Sequence, residues 1–162
     1  MAIRPATEDD IEGIRQVATA SWETDYPDVL SRETIHEGVE HWYSEPVIRM
    51  ELQSPRTELL VAETDPAGLV GFVHGHWAGD AGIIMRLYVH PEHRGKGLGT
   101  QLFEAISSAL RDRGVEQLRA MALAANETAT AFFENQGMVQ VGSETTAIAG
   151  EQYEEAIYEY RD

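Results

Sequence analysis

The stretch HPEHRGKGLGT, residues 90 to 100, carries the densest chemistry in the chain. It alternates three glycines, Gly95, Gly97 and Gly99, with Lys96 and Leu98, directly after Arg94. Successive glycines let the backbone turn so that several N–H groups face one concavity. Leu98, Leu102, Ile106 and Leu110 then recur every four residues with Phe103 beside them, which predicts an amphipathic helix. The unpaired N–H groups and positive dipole end of that helix complete an anion site suited to phosphate or pyrophosphate. Lys96 is the only lysine in 162 residues, in a chain with 12 Lys plus Arg, 28 Asp plus Glu and a formal charge of −16. Its position marks a place where positive charge is useful.

Three phosphate-binding patterns compete for this loop. A Walker A loop requires G-x-x-x-x-G-K-[ST], but Lys96 is followed by Gly97 and position 90 is His. A dinucleotide fingerprint requires G-x-G-x-x-G in an opening βαβ unit, whereas this spacing is G-x-G-x-G and lies mid-chain. The third pattern, R-G-x-G-x-G after an L-x-V strand, fits residue for residue. A glycine turn without a ligand is the plain alternative.

The elements that position the loop are legible from periodicity and turn chemistry. AIRP reads as a first strand, and Thr7 with Asp10 as a capping box before a helix bearing Ile11, Ile14, Ala18 and Trp22 on one stripe. Ser31 caps a second helix that buries Ile35, Val39 and Trp42. Pro46 interrupts it, and a short third helix holds Val47 and Met50. TELLVAET and GLVGFVHGHWAG are strands joined by the turn Asp65-Pro66-Ala67-Gly68, and GIIMRLYVH is a fourth strand leading into the glycine loop. Gly114 ends the long helix, LRAMALAAN is a strand, ETATAFFENQ a helix closed by Gly137, and MVQVGSETTA and QYEEAIYEY two last strands. This order describes an α/β fold, one domain over residues 1–162, with a mixed sheet and helices on both faces.

Composition narrows the function. With no cysteine there is no disulfide, thiolate metal site or cysteine nucleophile. No run approaches the roughly 18 to 20 apolar residues that span a bilayer. The opening MAIRPATEDD lacks the marks of a signal peptide, so the expectation is a cytoplasmic protein without membrane association. No basic stripe exists to neutralise phosphates, which argues against a nucleic-acid partner. No G-x-S-x-G elbow supports a serine hydrolase. The acid is spread along the chain. That resembles the proteins of salt-loving microbes, where salt screens self-repulsion, and it also suits attraction of a cationic substrate.

Read together, LYVHPEHRGKGLG and the downstream segment Asn126-Glu-Thr-Ala129-Thr-Ala-Phe132-Phe133-Glu134-Asn-Gln-Gly137-Met138 resemble the GCN5-related N-acetyltransferase family. The second segment is similar to that family's N-x-x-A-x-x-F-Y-E-x-x-G-F. The resemblance implies a mostly antiparallel sheet of six to seven strands whose fourth and fifth strands splay into a V. It implies acetyl-CoA as co-substrate, with no metal, and a primary amine of a small molecule or peptide N-terminus as acceptor. Leu87, Tyr88 and Val89 would pair with the pantetheine arm. Backbone N–H groups of Arg94, Gly95, Lys96, Gly97, Leu98, Gly99 and Thr100 would hold the pyrophosphate, with Arg94 and Lys96 adding full charges. Asn126, Ala129, Phe132 and Phe133 would contact the rest of the coenzyme. Homodimers are common in the family, but no stretch here specifies one.

The proton-transfer groups are less clear. Phe133 stands where the family often has a tyrosine acid, and the strand Gly82-Ile-Ile-Met-Arg86 lacks a glutamate common there. A CoA-binding sensor with little turnover is therefore the alternative to an enzyme. Tyr88 is a candidate donor to the leaving thiolate or a core side chain. His74 and His76, on one face of a strand, are candidate bases, solvated strand residues or, with G-x5-H-x-H spacing from Gly68, part of a metal motif. Trp22, Glu23, Asp25 and Tyr26 follow the first helix, where the fold usually builds the acceptor wall. Tyr153, Tyr158 and Tyr160 reflect β-propensity or line the acceptor site.

Overall fold

The computed structural model describes residues 2–26, 30–65 and 67–160. The elements are β1 (Ala2–Pro5), α1 (Ile11–Asp25), α2 (Arg32–Trp42), α3 (Glu45–Gln53), β2 (Thr57–Thr64), β3 (Gly68–Ala78), β4 (Ala81–Val89), α4 (Leu98–Asp112), β5 (Gln117–Leu123), α5 (Glu127–Asn135), β6 (Met138–Ile148) and β7 (Glu151–Tyr160). They build a seven-stranded sheet in the order β1-β2-β3-β4-β5-β7-β6. Every neighbouring pair is antiparallel except β4 with β5.

Local chemistry explains the helix boundaries. The Thr7 amide donates to Asp10 Oδ2 at 2.8 Å, so the capping box closes, although over a single 3-10 turn (Glu8–Asp10) that precedes α1. Ser31 Oγ accepts the Thr34 amide at 3.1 Å and starts α2. Pro46 does not interrupt that helix. The break falls at Tyr43-Ser44, and Pro46 occupies the first turn of α3, where its missing N–H costs nothing. In α3 the buried residue is Ile48, while Met50 is 61% exposed. The turn predicted at Asp65–Gly68 contains Pro66, which lies outside the described residues. Its last position, Gly68, has φ of +82°.

Two apolar layers cover the sheet. One packs Leu98, Leu102, Ile106 and Leu110 of α4 on Val73 and Ile84. The other packs α1, α2 and α3 on Val61 and Phe72.

Irregularities in β4 set up everything functional. Ile84 and Val89 both belong to the α4 layer, yet they are five residues apart, which strict alternation forbids. The pairing shifts between His74 and Gly75, which face Arg86 and Ile84, so Met85 is an extra residue in the ladder. This bulge turns Arg86 and Tyr88 toward the α1–α3 layer. In addition, β4 pairs with β5 only over Ala81–Ile84 and Gln117–Ala120. Beyond that, β5 bonds to β7 from Arg119 to Leu123, and Met85–Val89 stands away from it. The sheet forks there, which is the expected V.

Candidate active site

The glycine loop is built as its residues dictate. Gly95 and Gly97 have φ of +79° and +81°, a region disfavoured for side chains, and a β-carbon on either would meet no atom within 4 Å. The space beside them is open. The first intrahelical bond of α4 runs from the Gln101 amide to the Gly97 carbonyl at 3.1 Å, so the amides of Leu98, Gly99 and Thr100 precede the helical ladder. Gly99 has a different reason. A β-carbon there would sit 3.0 Å from Phe132 Cε1, so glycine lets α5 approach the first turn of α4.

This loop, Leu87–Val89 of β4 and the start of α5 enclose a cleft of about 470 Å³. Arg94, Leu98, Thr100, Asn126, Ala129, Phe132 and Phe133 line it, together with all three loop glycines. Lys96 is exposed and does not line it. Nor does Arg94 offer a free charge. Its Nη1 and Nη2 donate to Asp25 Oδ1 and Oδ2 at 2.7 and 3.0 Å, and its Nε to the Val89 carbonyl at 3.0 Å. Two added full charges are therefore not what the cleft presents. What it offers to an anion is backbone N–H groups and the dipole of α4. Those groups, and glycines whose side-chain volume is open, fit a pyrophosphate.

A second cavity of about 300 Å³ adjoins the first and shares Leu87, Tyr88, Asn126, Ala129 and Phe133 with it. Its other walls include Tyr26, Trp42 and Tyr43 from the helical layer, Met85 and Arg86 from β4, Met121–Leu123 from β5 and Glu155 from β7. Tyr88 stands at the junction. Its hydroxyl accepts the Trp22 indole N–H at 3.1 Å and sits in a cluster with the Tyr26 and Tyr43 hydroxyls. Asn126 caps α5 by accepting the Ala129 amide at 3.1 Å and donates through Nδ2 to the Tyr26 hydroxyl at 3.2 Å. Burial, then the neighbouring Tyr88, pushes the Tyr26 and Tyr43 phenols well above their ordinary range. Burial likewise raises Glu155, with Glu144 adding to it, while Thr146 and Arg86 oppose the rise.

Several expected residues stand elsewhere. His74 is buried and lines neither cavity, and neither ring nitrogen has a hydrogen-bond partner. Desolvation, then the charge of Arg86, pushes its pKa down to about 3, which makes it a poor base. His76 is exposed at the far end of β3, away from both cavities. Of the acceptor-wall group only Tyr26 lines the second cavity. Trp22 is 1% exposed and packs edge-on against Tyr26, Trp42 and Tyr43, and Glu23 faces solvent. Asp25 lines the larger cleft instead, paired with Arg94. Tyr153, Tyr158 and Tyr160 line neither cavity. Phe133 packs on Tyr158, ring centroids 6.0 Å apart, as a core side chain that also edges both cavities.

Arg86, Tyr43 and Glu155 were not singled out from the sequence. The alternation of QYEEAIYEY placed Glu155 on one face with Tyr153 and Ile157, a carboxylate between apolar neighbours, and that signal was available. Arg86 had none, because the Met85 bulge reverses the face that alternation assigns to it.

A forked sheet whose cleft ends in a glycine loop at a helix N-terminus is the architecture of a transferase that binds a phosphate-bearing donor, and the comparisons with known proteins say which class. The chain belongs to the acetyltransferase (GNAT) family, whose sequence model matches residues 12–138. It is similar to a spermidine N(1)-acetyltransferase of Thermoplasma acidophilum, 25% identical over 83% of this chain and 86% of that one. A thialysine N-epsilon-acetyltransferase of Sus scrofa is 29% identical over 52% of this chain and 57% of its own. Among solved structures, the PaiA N-acetyltransferase of T. acidophilum in complex with coenzyme A superposes with a TM-score of 0.85 at 24% identity, covering 99% and 98% of the two chains. A GCN5-related N-acetyltransferase of Rhodopseudomonas palustris gives 0.83 at 26%, covering 98% and 94%. This protein is accordingly an N-acetyltransferase that uses acetyl-CoA.

Proposed function

We propose that the protein transfers acetyl from acetyl-CoA directly to the primary amine of a small molecule, with the coenzyme in the larger cleft and the acceptor in the smaller cavity. The observation that carries this reading is the junction at Tyr88, where the two cavities share a wall. Relatives named for spermidine and thialysine, both aliphatic amines, support a small acceptor. A cavity of about 300 Å³ also suits a small molecule better than a folded protein.

Acetyl-CoA supplies the thioester that the amine attacks, and the chain supplies position and protons. The amides of Gly95 through Thr100 hold the pyrophosphate. The unpaired edge of β4 at Leu87–Val89 bonds to the pantetheine arm as an added strand would, and one of its N–H groups receives the charge that grows on the carbonyl oxygen. An alkylammonium, with a pKa near 10.4 for a lysine-like group, must lose a proton before it attacks. Glu155 accepts that proton. Its half-buried carboxylate lines the acceptor cavity, and burial raises its basicity. Tyr88, oriented by Trp22, donates to the departing sulfur in place of the tyrosine absent at Phe133.

The test is thiol release from acetyl-CoA with a panel of primary amines and the purified full chain. Amine-dependent release is expected. Acetyl-CoA binding with no release from any amine would contradict the reading and favour a sensor without turnover.

A further inference from the structure

Asp25 stands where charge disfavours it. Of 28 acidic residues in the chain, it is the only one among the described residues that lines the larger cleft, where the proposed function seats a pyrophosphate. It is also the last residue of α1, where the negative end of the helix dipole opposes a further negative charge. Its side chain is 7% exposed, so water screens neither repulsion well. Two unfavourable fields meet at one carboxylate, and its partner accounts for it. Both oxygens of Asp25 accept from the Arg94 guanidinium, at 2.7 and 3.0 Å, a bidentate fork that admits one orientation.

The Nε N–H of the same guanidinium donates to the Val89 carbonyl at 3.0 Å. One side chain thus ties the end of α1 and the end of β4 to the start of the glycine loop. Gly95 and Gly97 follow directly, at φ of +79° and +81°. Glycine loses more backbone freedom on ordering than any other residue, so a loop built from it binds weakly unless something else orders it first. The fork supplies that order. Drawing Arg94 away onto a phosphate would strand Asp25 as an unpaired, largely buried anion beside the ligand, a heavy penalty for one new contact. We propose that Asp25 is a positioning residue for the coenzyme: paired with Arg94 it forms a neutral clamp that sets the loop amides for the pyrophosphate. Arg94 acts through that clamp and not as a phosphate ligand. The inference rests on the reading that those amides hold the pyrophosphate. Its sign is distinctive. Removing a negative charge from the wall of an anion site ordinarily tightens anion binding, whereas removing this one loosens it.

The experiment is calorimetric titration of the full chain with acetyl-CoA and with S-acetylpantetheine, which lacks the pyrophosphate. Wild type, Asp25→Asn, Arg94→Gln, the double variant and Asp25→Glu are compared, with folding checked by melting temperature. Asp25→Asn keeps the shape and loses the charge. It should weaken acetyl-CoA binding by about tenfold, the worth of one charge-assisted pair, and leave S-acetylpantetheine within about twofold. Arg94→Gln should lose as much, and the double variant no more than either single one, because the two residues act as a unit. Asp25→Glu retains the carboxylate and should stay within about threefold of wild type, the reverse of the order that packing alone would give. It also keeps the test usable where Asp25→Asn fails to fold. Unchanged or tighter acetyl-CoA binding by Asp25→Asn, or losses that add in the double variant, overturn the clamp and leave the pyrophosphate reading of the loop standing. Equal affinity of wild type for the two ligands overturns both.

Discussion

Tyr88 is the residue on which the proposed chemistry converges, because it touches both cavities and its hydroxyl is held there by the Trp22 indole N–H. Replacement by Phe removes the donor but keeps the ring among Trp22, Tyr43 and Phe72. Tyr88→Phe should therefore lower kcat by about 10²-fold, the usual worth of one general acid, with a far smaller change in acetyl-CoA affinity. Stopped-flow thiol release and calorimetry separate the two effects. Glu155 acts in its ionised form, so kcat/KM should climb with pH through a pKa above the ordinary carboxylate range. Glu155→Gln should abolish that limb of the profile while other pH effects persist. A different residue answers to acid as stability. His74 is neutral when folded, with its pKa lowered from 6.5 to about 3, so the unfolded chain binds a proton that the native state refuses. Its contribution is intact above pH 6.5 and is lost progressively as pH falls toward 3, with a slope approaching about 1.4 kcal/mol per pH unit. His74→Leu should flatten the urea-denaturation stability measured across that window.

At the scale of elements, the glycine loop and α4 form a unit that, in the proposed function, holds the pyrophosphate through backbone geometry. Lys96 is exposed and outside the cleft, so Lys96→Ala should weaken acetyl-CoA binding by only about two- to threefold, as a screened surface charge does. Gly97 caps the helix at φ of +81°, where a β-branched side chain is strained by about 1–2 kcal/mol and fills the open space. Gly97→Val should cost about tenfold or more, and equal affinities for the two variants would refute the backbone account. This unit was legible in sequence because every signal agreed: glycine spacing, four-residue apolar periodicity and Gly114 as the terminator. The strand boundaries Thr57–Thr64 and Gly68–Ala78 were readable for the same reason. The acceptor side was not. It depends on a bulge at Met85 that shifts strand phase, on a fork that appears only when β5 pairs with β7, and on Glu155, which arrives from the other end of the chain. Arg94 shows the limit from another side. Its charge was visible, but the Asp25 carboxylate that neutralises it lies 69 residues earlier.

The whole molecule carries a net charge of −16, and its acid is spread along the whole chain. Self-repulsion of that size destabilises a compact state until salt screens it. Raising KCl from about 0.1 to about 1 M shortens the screening length from about 10 to about 3 Å, so the melting temperature in scanning calorimetry should rise. A flat or falling trend would mean that the acid is matched locally and serves another purpose, such as drawing in a cationic acceptor. Global architecture also sets the order of events. In the proposed function coenzyme and acceptor occupy adjoining cavities that meet at one wall, which permits direct transfer only when both are present. Initial rates measured with acetyl-CoA and an amine varied together test this central claim most directly. Intersecting double-reciprocal lines, the mark of a ternary complex, are predicted. Parallel lines would reveal a covalent acetyl-enzyme and contradict direct transfer across the Tyr88 junction.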